Sequence, residues 1–156
     1  MAHSLPNVVK PTRYDVTLYN FDFERFTFSG QVIIRSSSIY IYWYHSLEEL
    51  ESLENKIVLN SHELKIHEAA IKSTGTKTES TISAKNISYD ENARTATLDF
   101  GQTICHDERR SFLTLKFDGI LNNAMAGFYR SAYTDKNGAP KFMFSTQCEV
   151  QSWLNC

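Results

Sequence analysis

Phe128-Tyr129-Arg130-Ser131-Ala132-Tyr133 and Lys141-Phe142-Met143-Phe144-Ser145-Thr146 flank Asp135-Lys136-Asn137-Gly138. The flanks are aromatic-rich, as strands are, and Asn-Gly accepts the two positive φ values that a type I′ turn requires. The stretch therefore predicts an antiparallel hairpin. Working outward, Leu113, Leu115 and Phe117 alternate with polar neighbours, and Arg94-Thr95-Ala96-Thr97-Leu98-Asp99-Phe100 does the same with β-branched residues. Ile57-Val58-Leu59 and the pair Leu64, Ile66 are brief apolar runs separated by the turn-like Asn60-Ser61-His62. Phe26, Phe28, Val32, Ile33 and Ile34 surround Gly30, which suggests a strand with a bend or bulge at the glycine. Tyr14, Val16 and Leu18 alternate with Asp15 and Thr17, predicting a strand with one buried face. Short strands punctuated by turns argue for an all-β, antiparallel β-sandwich or saddle-like sheet domain.

One segment departs from this style. Ser46-Leu47-Glu48-Glu49-Leu50-Glu51-Ser52-Leu53-Glu54-Asn55 spaces its leucines by three, and Ser46 with Glu49 forms a capping box. It predicts one short helix around 46–55. Just before it, Ile39-Tyr40-Ile41-Tyr42-Trp43-Tyr44 is denser in aromatics than a half-exposed strand, so 36–55 reads as an atypical insertion.

Composition narrows the function classes. The 156 residues are 42% hydrophobic and 22% charged, a globular balance with enough chain for a real core. Sixteen Lys+Arg against eighteen Asp+Glu leave a net charge of −2, far from the excess of cations that nucleic-acid binding exploits. The run at 39–44 is much shorter than the ~20 residues that span a bilayer, so no membrane partner is expected. Met1-Ala2-His3-Ser4-Leu5-Pro6 has neither a basic nor an apolar leader region. Cys105, Cys148 and Cys156 cannot all pair, have no metal-type spacing, and read as reduced thiols of a cytoplasmic protein.

Few motifs carry chemistry. His62-Glu63-Leu64-Lys65-Ile66-His67 resembles a zinc-peptidase His-Glu-x-x-His, but its histidines are five apart rather than four. On a helix they would diverge by about 140°, and on a strand they would face opposite ways. No metal site is expected there. Cys105-His106 are neighbours in sequence, which says nothing about a dyad, and the glycines are too scattered for a phosphate loop. Gln147-Cys148-Glu149 is different. On a strand, residues 147 and 149 share one face about 6.8 Å apart, where a carboxylate beside an amide oxygen can hold an ammonium group. A solvent-facing Glu is the plain alternative.

Three stretches carry a family resemblance. They are Leu5-Pro6-Asn7-Val8-Val9-Lys10-Pro11-Thr12-Arg13-Tyr14-Asp15-Val16 with Phe26-Thr27-Phe28-Ser29-Gly30, then Ile57-Val58-Leu59-Asn60-Ser61-His62-Glu63-Leu64, and then Phe117-Asp118-Gly119-Ile120-Leu121-Asn122-Asn123-Ala124-Met125-Ala126-Gly127-Phe128-Tyr129-Arg130-Ser131 with Phe144-Ser145-Thr146-Gln147-Cys148-Glu149. Together they resemble the N-terminal domain of the zinc aminopeptidases of the aminopeptidase N family, most closely its cytosolic puromycin-sensitive branch. The resemblance implies an antiparallel β domain that, in complete enzymes, sits against a thermolysin-like catalytic domain. Complete members remove N-terminal residues from peptides with a zinc-activated water. The zinc ligands and the general base lie beyond this domain, so the resemblance implies no catalytic residue, no metal ligand and no cofactor in this chain. It also implies that Glu149 binds the α-ammonium of a peptide N-terminus and that Gln147 lines the first side-chain pocket.

Two junctions depart from the family pattern: the insertion at 36–55, and Val150-Gln151-Ser152-Trp153-Leu154-Asn155-Cys156 after Glu149. The expected organisation is a β domain over 1–149 and an aberrant tail over 150–156, as a retained intron or a shifted reading frame would leave. The strand around 141–149 is expected to lack neighbours. Two readings follow: a substrate-anchoring domain that is inactive alone, or an independent β-sandwich module binding a protein or peptide, whose exposed patch would be the run at 39–44.

Overall fold

The computed structural model describes residues 11–36, 55–74, 79–102, 104, 111–125 and 127–147. Among them lie strands β1 (Pro11–Asp22), β2 (Thr27–Ser36), β3 (Lys56–Asn60), β4 (Leu64–Thr74), β5 (Glu79–Ser83), β6 (Asn86–Asp90), β7 (Thr95–Asp99), β8 (Ser111–Ile120), β9 (Gly127–Thr134) and β10 (Pro140–Gln147). All pair antiparallel, as the alternation predicts. The described residues contain no helix. Residues 46–54 of the predicted helix lie outside them, and Asn55 sits in a turn before β3.

The strands sort into a five-stranded sheet ordered β1-β2-β8-β4-β5, a three-stranded sheet β3-β7-β6, and the two-stranded β9-β10. β8 and β7 are flanked on both sides, which suits their regular alternation. Ala96 and Leu98 of β7 are wholly buried, and they meet Ile66, Ala69 and Ile71 of β4 and Leu115 of β8 in one core between the first two sheets. The chain crosses between sheets at tight corners. Ala84 N–H donates to Ala69 C=O (2.8 Å) in the large sheet, and the next residue, Lys85, donates to Asp99 C=O (2.7 Å) in the small one. The turn at 60–62 is such a corner: β3 and β4 follow one another in sequence yet belong to different sheets.

Three details correct the expectations from sequence. Gly30 marks no bulge, because its register runs unbroken from Leu18 of β1 to Phe117 of β8. A Cβ there would lie 2.5 Å from Phe117 Cζ, so glycine is needed for the close approach of that ring. The irregularities of the β1–β2 pair fall instead between Pro11 and Arg13 and between Tyr19 and Asp22, and another falls between Ile66 and Glu68 of β4. The last makes His67 an extra residue. It shifts the alternation, so that Ile66 before it and Ala69 and Ile71 after it all reach the core.

Second, β1 does not bury one face. Tyr14 is 47% and Val16 58% exposed, because among the described residues β1 is the sheet edge and the core is built from the other strands. Third, the 135–139 turn is not type I′. Gly138 alone has a positive φ (81°). Its N–H donates to Asp135 C=O (3.0 Å), and Asp135 N–H donates to Ala139 C=O (2.9 Å). This is a type I turn followed by a left-handed glycine, stabilised by Asp135 Oδ1 accepting from the N–H groups of Asn137 (2.8 Å) and Ala139 (2.9 Å).

Candidate functional site

The β9–β10 hairpin carries Gln147 at its last position, opposite Gly127. Pairing divides its side chains into two faces. Phe128, Arg130, Phe142 and Phe144 share one face. Tyr129, Ser131, Tyr133, Lys141, Met143, Ser145 and Gln147 share the other. Gly127 has φ +65°, and among the described residues a Cβ there would meet nothing within 4 Å. Gln147 is exposed; Cys148 and Glu149 lie outside the described residues. Among the described residues β10 pairs only with β9.

A lone two-stranded hairpin is marginal in water. This one lies on an aromatic bed supplied by the first hairpin. Phe144 meets Phe23 (centroids 4.8 Å apart), and Phe128 meets Phe28 (5.3 Å) and Phe21 (6.0 Å) edge-on. The Arg130 guanidinium stands 3.9 Å over the Phe26 ring, and Phe142 packs against that ring at 4.8 Å. Below them the fully buried Leu121 donates its N–H to Phe26 C=O (2.8 Å) and accepts from Arg130 Nη1. Arg130 N–H donates to Asn122 C=O (2.8 Å), where Asn122 bridges Tyr129 in parallel. The bed was missed in the sequence, although Phe21-Asp22-Phe23-Glu24-Arg25-Phe26-Thr27-Phe28 spaces four phenylalanines symmetrically about a turn.

The second cluster lies on the polar face of the large sheet. His67 Nε2 is 2.7 Å from Asp118 Oδ2, and Ser29 Oγ donates to Asp118 Oδ1 at 2.9 Å. The His67 and Ser29 hydrogen bonds hold the Asp118 carboxyl below the usual carboxylate range. Beside it Lys116 Nζ meets Glu68 Oε2 at 2.8 Å, and that carboxylate raises the lysine. His67 is thus engaged by an aspartate through a ring nitrogen, while His62 is exposed in the corner before β4. Among the described residues no group of three or more His, Cys, Asp or Glu is placed to hold a metal, so the donors there do not fit a zinc centre. Cys105-His106 and the aromatic run at 39–44 lie outside the described residues. No helix among the described residues is long and apolar enough to cross a membrane.

Residues 10–152 match the peptidase M1 N-terminal domain. The chain is 35% identical over 148 residues to the alanine/arginine aminopeptidase of Saccharomyces cerevisiae, covering 94% of this chain and 15% of that protein. It is 32% identical over 154 residues to aminopeptidase M1 of Arabidopsis thaliana, covering 97% of this chain and 16% of the relative. With the puromycin-sensitive aminopeptidase of Caenorhabditis elegans it shares 32% identity over 147 residues, or 93% and 13% of the two chains. The chain therefore spans about a seventh of the length of these relatives.

Proposed function

The chain belongs to the peptidase M1 N-terminal domain family, and from that premise we propose that it grips a peptide's amino terminus and does not itself cut the peptide. The observation that supports this reading is the position of Gln147, at the open end of a hairpin whose opposite face is packed down on Phe21, Phe23, Phe26 and Phe28. On a strand, residues 147 and 149 would share one face, although Glu149 itself lies outside the described residues. There the Glu149 carboxylate accepts charge-assisted hydrogen bonds from an α-ammonium, and the Gln147 side chain borders the pocket for the first residue. The partner is a peptide N-terminus, and the compartment that fits the sequence is the cytoplasm.

Hydrolysis needs a polarised carbonyl and an activated water. The described residues provide no donor set for the zinc that supplies both in the family, and His67 is committed to Asp118. In this reading the metal ligands and the base belong to the catalytic part of longer family members. Added zinc is therefore expected to give the chain no turnover of aminoacyl-arylamides, and turnover abolished by a chelator would overturn that division of labour.

The anchoring role is tested by binding. Leucinamide should bind the chain more tightly than N-acetyl-leucinamide, whose amine is blocked, and Glu149→Gln should erase the difference. In a full-length relative the matching substitution should raise KM while leaving zinc content unchanged. Loss of zinc there would mean that the carboxylate has another role.

A further inference from the structure

The turn between β1 and β2 contains an expensive residue. Phe26 closes a four-residue turn between the paired Asp22 and Thr27 with φ 56°, the left-handed region that a bulky side chain rarely enters. The same turn recurs between the paired Asp90 and Thr95, where Arg94 has φ 54°. Both are tied by their leading aspartate. Asp22 Oδ1 accepts from the N–H groups of Glu24 (3.0 Å) and Arg25 (2.9 Å), and Asp90 Oδ1 accepts from Ala93 N–H (2.9 Å). The turn thus demands a left-handed fourth residue, and glycine or asparagine fills that place at less cost. At Arg94 the side chain is exposed and the carbonyl serves Ser61 N–H (2.8 Å). At Phe26 the strained backbone aims a ring at the last hairpin.

That ring touches both strands of the hairpin at once. Arg130 of β9 and Phe142 of β10 are diagonal neighbours on the packed face, and the ring of Phe26 lies against both. The contact closes a circuit: Phe26 C=O to Leu121 N–H, Leu121 C=O to Arg130 Nη1, and the Arg130 guanidinium back onto the Phe26 ring. We propose that Phe26 is a positioning residue, whose strained backbone clamps β9 and β10 through Arg130 and Phe142 and so fixes where Gln147 borders the pocket for a peptide's first residue. The functional half of this inference rests on the amine-anchoring reading above.

The lever arm explains why such a clamp matters. Gln147 lies five residues beyond Phe142, about 17 Å along an extended strand, so a tilt of roughly 10° at Phe142 displaces it by about 3 Å. A hydrogen-bonding group tolerates only a few tenths of an ångström around its working distance.

The test turns on Phe26→Gly, which relieves the backbone and removes the ring. If only the turn mattered, Phe26→Gly would stabilise the chain as Arg94→Gly should. The clamp predicts the reverse: β9 and β10 amides exchange with solvent roughly tenfold faster or more, while the β7 amides of Ala96 and Leu98 keep their rates. Arg130→Met leaves the turn untouched, should open the hairpin in the same way, and decides the matter if Phe26→Gly does not fold. Arg130→Lys, which keeps a cation over the ring, should recover part of the protection. Leucinamide, read at the Gln147 side-chain amide, should bind more weakly in parallel with the lost protection. Unchanged or slower hairpin exchange in Phe26→Gly or in Arg130→Met overturns the clamp, as does exchange that quickens equally in β7. A parent chain indifferent to leucinamide overturns the anchoring reading instead, and exchange still decides the clamp.

Discussion

Gly30 and Gly119 sit opposite Phe117 and Phe28 respectively in the β2–β8 ladder, so each aromatic ring lies over the glycine it faces. Neither glycine has a positive φ, and both are needed for space rather than for backbone freedom. Adding a methyl group at Gly30 would drive it into the Phe117 ring beside Leu18. Gly30→Ala is therefore expected to destabilise the fold by about 1–3 kcal/mol in chemical denaturation. A neutral result would mean that the ring can leave without cost. A glycine within a strand signals either a bulge or a close approach, and the sequence around Gly30 cannot choose between them. The deciding ring comes from β8, far along the chain. His67 has the same history: its spacing from His62 identifies it as a poor zinc ligand, but its engagement with Asp118 depends on a neighbouring strand.

At the scale of elements, the hairpin at 127–147 shows how a correct prediction can rest on a wrong detail. Aromatic flanks around Asn137-Gly138 suffice to predict two strands. The turn between them is set by Asp135, whose carboxylate collects two backbone N–H groups and favours a type I turn ending on Gly138. Gly138→Ala should therefore cost about 1 kcal/mol through its left-handed backbone, while Asn137→Ala should cost much less. Equal losses, measured by thermal or chemical unfolding, would restore the type I′ turn. β4 makes a related point. Leu64 and Ile66 were legible as a strand, but the extra residue at His67 changes phase halfway, so alternation read from sequence cannot be carried across it.

For the whole molecule, the ionisable groups set a direction for stability against pH. Arg13 and then Arg35 hold Asp15 low, the N–H groups of Arg25 and Glu24 hold Asp22 low, and His67 and Ser29 hold Asp118 low. Each folded-state value lies below the unfolded one, so each contribution is complete above about pH 3.9 and is lost as pH falls through the folded value. All three groups are solvent-accessible, so the individual effects are small but of one sign. Stability should decline in acid, and Asp118→Asn should narrow its gap to the parent chain as pH drops below about 4. A gap that widens in acid would mean that Asp118 is stabilised in its protonated form. The strands other than β5 and β6, the antiparallel class and the placing of Gln147 on a hairpin strand followed from the sequence alone, because side-chain alternation and turn chemistry act between residues a few positions apart. Which sheet each strand joined, what Gly30 makes room for, and how Phe26, Arg130 and Phe142 seat the last hairpin were decided by the tertiary structure. Those outcomes depend on surfaces brought together from distant parts of the chain, and local preference carries no record of them.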